Sequence, residues 1–205
     1  SRSYVERILA GLPRRPRTAT PVRRVRRGAT VEITTDAGTE TFDALVLACH
    51  SDQALALLAD PSPAEREILG AVRYQPNDVV LHTDARFLPE QPRLRASWNY
   101  RIAEGREAEG ATVTYWMNQL QHLPVRTPVL VTLNQTEEID EAKVLRRLSY
   151  SHPVFDGPAV AAQQRRAEIS GVNGTWYCGA WWRYGFHEDG CRSAVEAVRG
   201  MGVAW

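Results

Sequence analysis

Apolar positions change their spacing several times along the chain. Over Ser3–Leu12, Tyr4, Ile8, Leu9 and Leu12 recur at helical intervals, and Gly11-Leu12-Pro13 ends the run, which predicts a helix. Short extended segments follow: Pro21–Arg27 with Val22 and Val25, the alternating Thr30–Thr35, a turn at Asp36-Ala37-Gly38 and a return over Thr39–Phe42. Asp43–Cys49 (DALVLAC) is almost continuously apolar and has the length of a buried parallel strand. Ser51-Asp52 predicts the cap of a helix running to Leu58, and Ser62–Val72 predicts another with Pro63 in its first turn. A strand feeding a helix in this way is how α/β domains are built.

The middle of the chain reads differently. Asp78–Thr83, Leu94–Ile102, Ala111–Asn118 and Val129–Asn134 predict four strands in series, with a fifth at Val144–Ser151. Turns rich in Pro, Gly and Glu join them, which favours an antiparallel or mixed sheet over further βα units. A helix near Ala159–Arg166 precedes a short apolar strand, Thr175–Gly179. The loop Ala180–Asp189 then leads into a last helix, Gly190–Val198. The expected fold class is therefore α/β, an α+β mixture in which a nucleotide-type domain is interrupted by a β-rich one.

Composition narrows the classes without changing this picture. The 205 residues include 43% hydrophobic and 24% charged residues, with 14 Gly and 12 Pro, an ordinary globular balance that excludes collagen-like and disordered chains. The longest apolar run is far shorter than the roughly 20 residues of a membrane helix. No basic-then-apolar leader opens the sequence. Three cysteines, Cys49, Cys178 and Cys191, lack CxxC spacing and fit a reducing cytoplasm better than a disulfide framework or zinc site. Asn134 and Asn173 head N-x-[ST] matches that mean little without a secretory signal. Charge is uneven: residues 1–30 hold nine Arg and one Glu, leaving −7 for the rest against a total of +1. The run Arg14, Arg15, Arg17, Arg23, Arg24, Arg26 and Arg27 lacks the interleaved aromatics of a nucleic-acid groove, so it reads as solvated surface or an interface, and no nucleic-acid partner is expected.

Trp176–Ala197 (WYCGAWWRYGFHEDGCRSAVEA) carries the most chemistry. A short strand ends at Gly179, four aromatics follow, and His187, Glu188, Asp189 and Gly190 open a helix. First-turn N–H groups lack internal partners and carry partial positive charge, so they suit a phosphate or the anionic edge of a reduced flavin. Glu188 and Asp189 equally read as ordinary helix-capping acids. GxSxG, HExxH and P-loop motifs are absent, and the five histidines are scattered, so no metal site is expected.

GFHEDG followed by a small-residue helix resembles the C-terminal flavin-binding segment of the amine-oxidase-like FAD-dependent oxidoreductases. The likeness is greatest to the bacterial branch of predicted NAD/FAD-binding proteins. SRSYVERI, TPVRRV, FDALVLACHSDQALALL, RYQPNDVVLHTD, ASWNY, TYWMNQLQ and YSHPVF are similar to the same branch, so the resemblance spans nearly the whole chain. It implies part of an FAD/NAD(P)-binding Rossmann-like domain over 1–60, a β-rich substrate domain inserted over 61–170, and a C-terminal FAD-binding strand, loop and helix over 171–205. It also implies non-covalent FAD with the following contacts. Val22 would meet the adenine through its backbone, and Ala48 and Cys49 would lie beside the nucleotide half. Gly179 and Ala180 would approach the pyrophosphate and ribityl region. The Glu188 N–H would reach the pyrimidine carbonyl, with Asp189 and Gly190 starting the helix aimed at it. His187 would stand near the ring as the catalytic acid–base candidate, and Trp182 and Tyr184 would line the substrate pocket. Trp98, Asn99, Tyr115 and Asn118 could face that pocket, although strand parity leaves their side undecided.

Two departures qualify what the resemblance implies. The G-x-G-x-x-G fingerprint after an N-terminal strand is absent. The chain is therefore expected to be a C-terminal fragment, lacking the FAD-binding N-terminal half and not expected to hold FAD or act as an enzyme alone. Its face toward that missing half is expected to promote self-association. Second, the family's substrate-domain lysine has one candidate, Lys143, whose neighbours in IDEAKVLRR look like charged surface. That favours hydride transfer from a carbon chain, desaturation or double-bond isomerisation over amine oxidation, and the resemblance to a branch with lipid-modifying relatives implies a fatty acyl substrate. A non-catalytic interaction module without cofactor is the alternative.

Overall fold

The structure is a computed structural model that describes residues 2–102, 112–134 and 136–204. It comprises two units, one from Ser1–Arg73 with Val154–Trp205 and the other from Tyr74–Pro153.

In the first unit, α1 (Arg2–Ala10) leaves Tyr4, Val5, Ile8 and Leu9 exposed. Strands β1 (Val22–Arg27), β2 (Val31–Thr35) and β3 (Gly38–Phe42) form an antiparallel sheet in sequence order. The turn from β2 to β3 needs Gly38, whose φ of 130° a side chain rarely tolerates. Val25 and Val31 point inward. Strand β4 (Leu45–Leu47) then leads into α2 (Ser51–Leu57) and α3 (Pro63–Ala71). The cap of α2 is His50 rather than the expected Ser51-Asp52: the Gln53 side chain accepts from the His50 N–H at 3.3 Å. Asp52 sits inside the first turn, where a carboxylate complements the helix dipole. Ser62 caps α3, accepting from the Glu65 N–H, while the Glu65 carboxylate accepts from the Ser62 N–H.

The second unit is a five-stranded sheet in the order β6-β7-β8-β5-β9. Its strands are β5 (Arg73–His82), β6 (Trp98–Arg101), β7 (Thr112–Trp116), β8 (Leu130–Leu133) and β9 (Val144–Val154). A short helix, α4 (Met117–Leu120), follows β7. The pairings from β6 through β5 are all antiparallel, as the turn-rich sequence suggested. Ala111, with which the third strand was expected to begin, lies outside the described residues. Pro76 falls in β5 before its pairing with β8 begins at Val79, so its missing N–H costs no bond to that neighbour. One face of the sheet packs Val80 and Leu130 against Phe87, Leu88 and Ile139, with Trp116 and Val144 beside them.

The chain returns to the first unit through α5 (Gly157–Gln164), β10 (Thr175–Tyr177) and α6 (His187–Gly200). Helix α6 begins at His187, three residues before the expected Gly190, and the loop ahead of it contains a 3-10 turn at Ala180–Trp182. Strand β10 pairs in parallel with β4, Trp176 opposite Val46, which places the two apolar segments side by side as α/β construction predicts.

Arg27 departs from the surface reading of the basic run. Its side chain is 0% exposed and faces Glu65, which is 1% exposed. The guanidinium donates to both Glu65 oxygens and, at 3.2 Å, to Asp60 Oδ1, while the Tyr177 hydroxyl donates to Glu65 at 2.6 Å. Burial pushes the Glu65 carboxyl up, but bonds from Arg27, Tyr177 and Ser62 outweigh that and hold it at about 2. A charge here is tolerated because it is paired on every side; Arg17 and Arg23, by contrast, meet Glu40 and Asp36 on the open surface.

Candidate functional site

Strands β4 and β10 end at the same side of their pair, and the segments after them meet. The indole N–H of Trp181 donates to the Cys49 carbonyl at 3.1 Å, tying the loop after β10 to the end of β4. The Gly179 N–H donates to Ser193 Oγ at 2.9 Å, and that hydroxyl donates to the Gly190 carbonyl at 2.8 Å. From α5, Gln163 Nε2 donates to the carbonyls of Trp181 and Arg183 at 2.9 and 2.8 Å. Asp189 Oδ2 accepts from the N–H groups of Tyr184 and Phe186 at 3.2 and 3.0 Å. Bonds to β4, α5 and α6 therefore fix the loop, and with it the direction of α6.

This geometry sorts the expected residues. Cys49, Gly179, Ala180 and Gly190 lie together; a Cβ on Gly190 would stand 3.8 Å from the Ala180 nitrogen. Asp189 is buried and serves as the cap, in line with its capping reading, whereas Glu188 is exposed. His187 is exposed at the first position of α6, and no described residue bonds its ring. Ala48 is exposed at the end of β4, and Val22 is exposed at the start of β1, beside a register shift. Trp182 is 5% exposed, packed against Trp181 with ring centroids 4.1 Å apart and beneath the Arg166 guanidinium. It lines a cleft of about 440 Å³ shared with Arg166, Asp189, Ser193 and Glu196. Tyr184 is 72% exposed. Burial pushes the Cys49 thiol up.

In the other unit, Trp98 and Tyr115 are cross-strand partners on one face, their rings in edge contact at 6.1 Å. Asn99 and Asn118 are committed to backbone. Asn99 bonds Ala96, while Asn118 bonds the carbonyls of Val125 and Thr127 and the Val129 N–H. Lys143 is a surface residue as expected, 3.4 Å from Asp84 and 3.5 Å from Asp140. No cluster of three metal-ligating side chains occurs among the described residues. Gln163 and Ser193, which hold the loop together with Trp181, were missed in the sequence. Trp181 and Cys49 are 132 residues apart, and no local spacing announces such a contact.

The start of α6 offers backbone donors. With Asp189 turned back onto the loop, the first-turn N–H groups of His187 and Glu188 remain for an outside acceptor. A Cβ on Gly179 would meet the Trp181 indole nitrogen, so that ring already requires a glycine here.

Comparison with solved structures bears on the fold. The chain is similar to a CLA-producing fatty acid isomerase from P. acnes, at a TM-score of 0.68 and 16% identity, covering 99% of this chain and 52% of that one. A protein from Exiguobacterium sp. 255-15 described as a protoporphyrinogen oxidase follows, at 0.65 and 16% identity, covering 98% and 50%. A UDP-galactopyranose mutase gives 0.62 and 12% identity, covering 97% and 51%. At these identities the likeness is one of fold. The chain spans about half the length of these structures. No protein-family model matches the sequence, and no curated protein matches it either.

Proposed function

We propose that the chain is the substrate-side and cofactor-closing part of a flavin-dependent oxidoreductase. Its reaction is hydride transfer between a carbon substrate, a fatty acyl chain, and FAD. The observation that carries this reading is the fixed loop between β10 and α6, which presents the start of α6 beside the end of β4 in a fold shared with such enzymes. FAD, when bound, supplies the hydride acceptor.

The chain's own residues would bind and orient. Glu188 and His187 offer backbone N–H groups to the flavin edge, and Asp189 and Gly190 set the helix direction. Gly179 and Ala180 run along the ribityl and pyrophosphate side; Ala48, Cys49 and Val22 flank the nucleotide half. The exposed His187 ring would be the acid–base group, with Tyr184 beside the substrate. These 205 residues contain no G-x-G-x-x-G, so an N-terminal FAD-binding half would complete the site. Without it, self-association through the exposed apolar side of α1 is expected.

The test is titration of the purified chain with FAD, read by flavin fluorescence and thermal shift. Saturable binding that His187→Ala leaves intact and Gly190→Pro abolishes supports the placement of α6. Absence of binding, both alone and with an added G-x-G-x-x-G half, overturns the flavin reading and leaves a non-catalytic interaction module.

A further inference from the structure

The two faces of the sheet in Tyr74–Pro153 differ, and along the paired rows of the second only Val79 is buried, while Trp98 and Tyr100 are exposed and the rest are half-buried. Opposite the face that carries Val80 and Leu130, register aligns Val79, Leu133, Val113 and Tyr100 in one row across β5, β8, β7 and β6. The next row is Leu81, Val131, Tyr115 and Trp98. Every position in both rows is aliphatic or aromatic, and the rows run out at Trp98 and Tyr100, which are 45% and 69% exposed. Each row crosses three inter-strand spacings, roughly 14 Å, enough for an extended acyl chain laid across the strands.

The other end of the face is polar. Asn77 lies two residues before Val79 and so on the same side of β5. Its Nδ2 donates to the Gln75 carbonyl at 2.9 Å and to His152 Nδ1 at 3.0 Å, while its Oδ1 accepts from Asn134 Nδ2 at 2.9 Å. Turning the carboxamide over would set its oxygen against the Gln75 carbonyl, which fixes Nδ2 as the donor. His152 Nδ1 must therefore be an acceptor, and the neutral ring carries its proton on Nε2. His152 is exposed. An imidazole locked as an outward N–H donor beside an apolar strip recognises a ligand with a hydrogen-bond-accepting head and an apolar tail.

We propose that this face binds a single extended acyl chain whose carboxylate or carbonyl accepts from His152 Nε2–H, with Asn77 as the positioning residue. The proposal rests on reading this unit as the substrate side of an oxidoreductase. It distinguishes acyl substrates from amines, because an alkylammonium head has donors only and would oppose the Nε2–H.

Dodecanoate and dodecylamine, titrated separately into the chain and read by calorimetry, test it. Dodecanoate should bind saturably and at least about tenfold more tightly than dodecylamine. His152→Ala should remove that preference, and Tyr100→Ser should weaken both probes without changing their ratio. Nitrogen-15 NMR of the His152 ring at alkaline pH should show the Nε2–H tautomer in the wild type and a mixture in Asn77→Leu, a change that a purely structural asparagine would not cause. Equal affinity for the two probes, an unaffected His152→Ala, or an Nδ1–H ring overturns the proposal. FAD binding without dodecanoate binding overturns this inference alone. Dodecanoate preference without FAD binding supports it and counts against the flavin reading instead.

Discussion

Removing the Glu65 carboxylate should destabilise the first unit more than any surface change, and the structure sets the size of the effect. Glu65→Ala leaves the fully buried Arg27 guanidinium with Asp60 and the Tyr177 hydroxyl, and deprives that hydroxyl of its acceptor. Breaking a buried ion pair from one side costs about 3–5 kcal/mol. The carboxyl's drop from 4.5 to about 2 gives a similar figure, about 3 kcal/mol at 1.36 kcal/mol per unit. The Ser62 cap contributes to the same network, so its share is not added separately. We expect a loss of about 3–4 kcal/mol at neutral pH, measured by urea unfolding followed through tryptophan fluorescence. Because the folded carboxyl is depressed, its contribution is complete above pH 4.5 and fades as pH falls toward 2, so wild type and variant should converge across that window. Replacing both partners, Arg27→Met with Glu65→Leu, should recover much of the loss. A Glu65→Ala loss below about 1 kcal/mol, or one that does not shrink in acid, would refute the argument.

Three further outcomes follow from buried groups. Burial holds the His82 ring at about 4, against an attraction from Asp84 that raises it; its Nε2 lies 2.8 Å from Thr132 Oγ1. The unfolded chain then takes up the proton first, so stability should fall by about 2.5 kcal/mol between neutral pH and pH 4.5, and less in His82→Gln, as read by urea midpoints. Gly179→Ala should displace the Trp181 indole from the Cys49 carbonyl and cost about 1–3 kcal/mol, visible as a lowered melting temperature and altered near-UV circular dichroism. Among the thiols, the exposed Cys191 should alkylate first. Cys178, buried and pushed up by that burial, should stay unmodified until the chain unfolds, which peptide mass spectrometry can follow.

Element type was largely written in the sequence, because helical and strand periodicity are local. DALVLAC and TWYCG, both too short and too apolar to be solvated, could be read as buried strands from their own residues, and they pair in parallel as such strands do. The GFHEDG helix start was legible for the same reason. Boundaries were less so: α6 begins three residues early because Asp189 reaches back to the Tyr184 and Phe186 N–H groups, a contact that depends on the folded loop.

Tertiary structure decided what each side chain is for. Nothing in the run RRVRR distinguishes Arg27 from Arg23, and the two share strand parity, yet one is sealed against Glu65 and the other lies open beside Asp36, because a register shift interrupts the strand at Arg23 while α3 brings Glu65 to Arg27. Parity also left Trp98 and Asn99 equivalent in sequence, and the register with β7 puts Trp98 against Tyr115 on the apolar face while Asn99 returns to its own backbone. The Asn134–Asn77–His152 chain joins three segments that no spacing links. A sequence determines where an apolar stripe forms, since that depends on neighbours along the chain; which stripe meets which, and which polar group is trapped between them, depends on contacts made only when the strands come together.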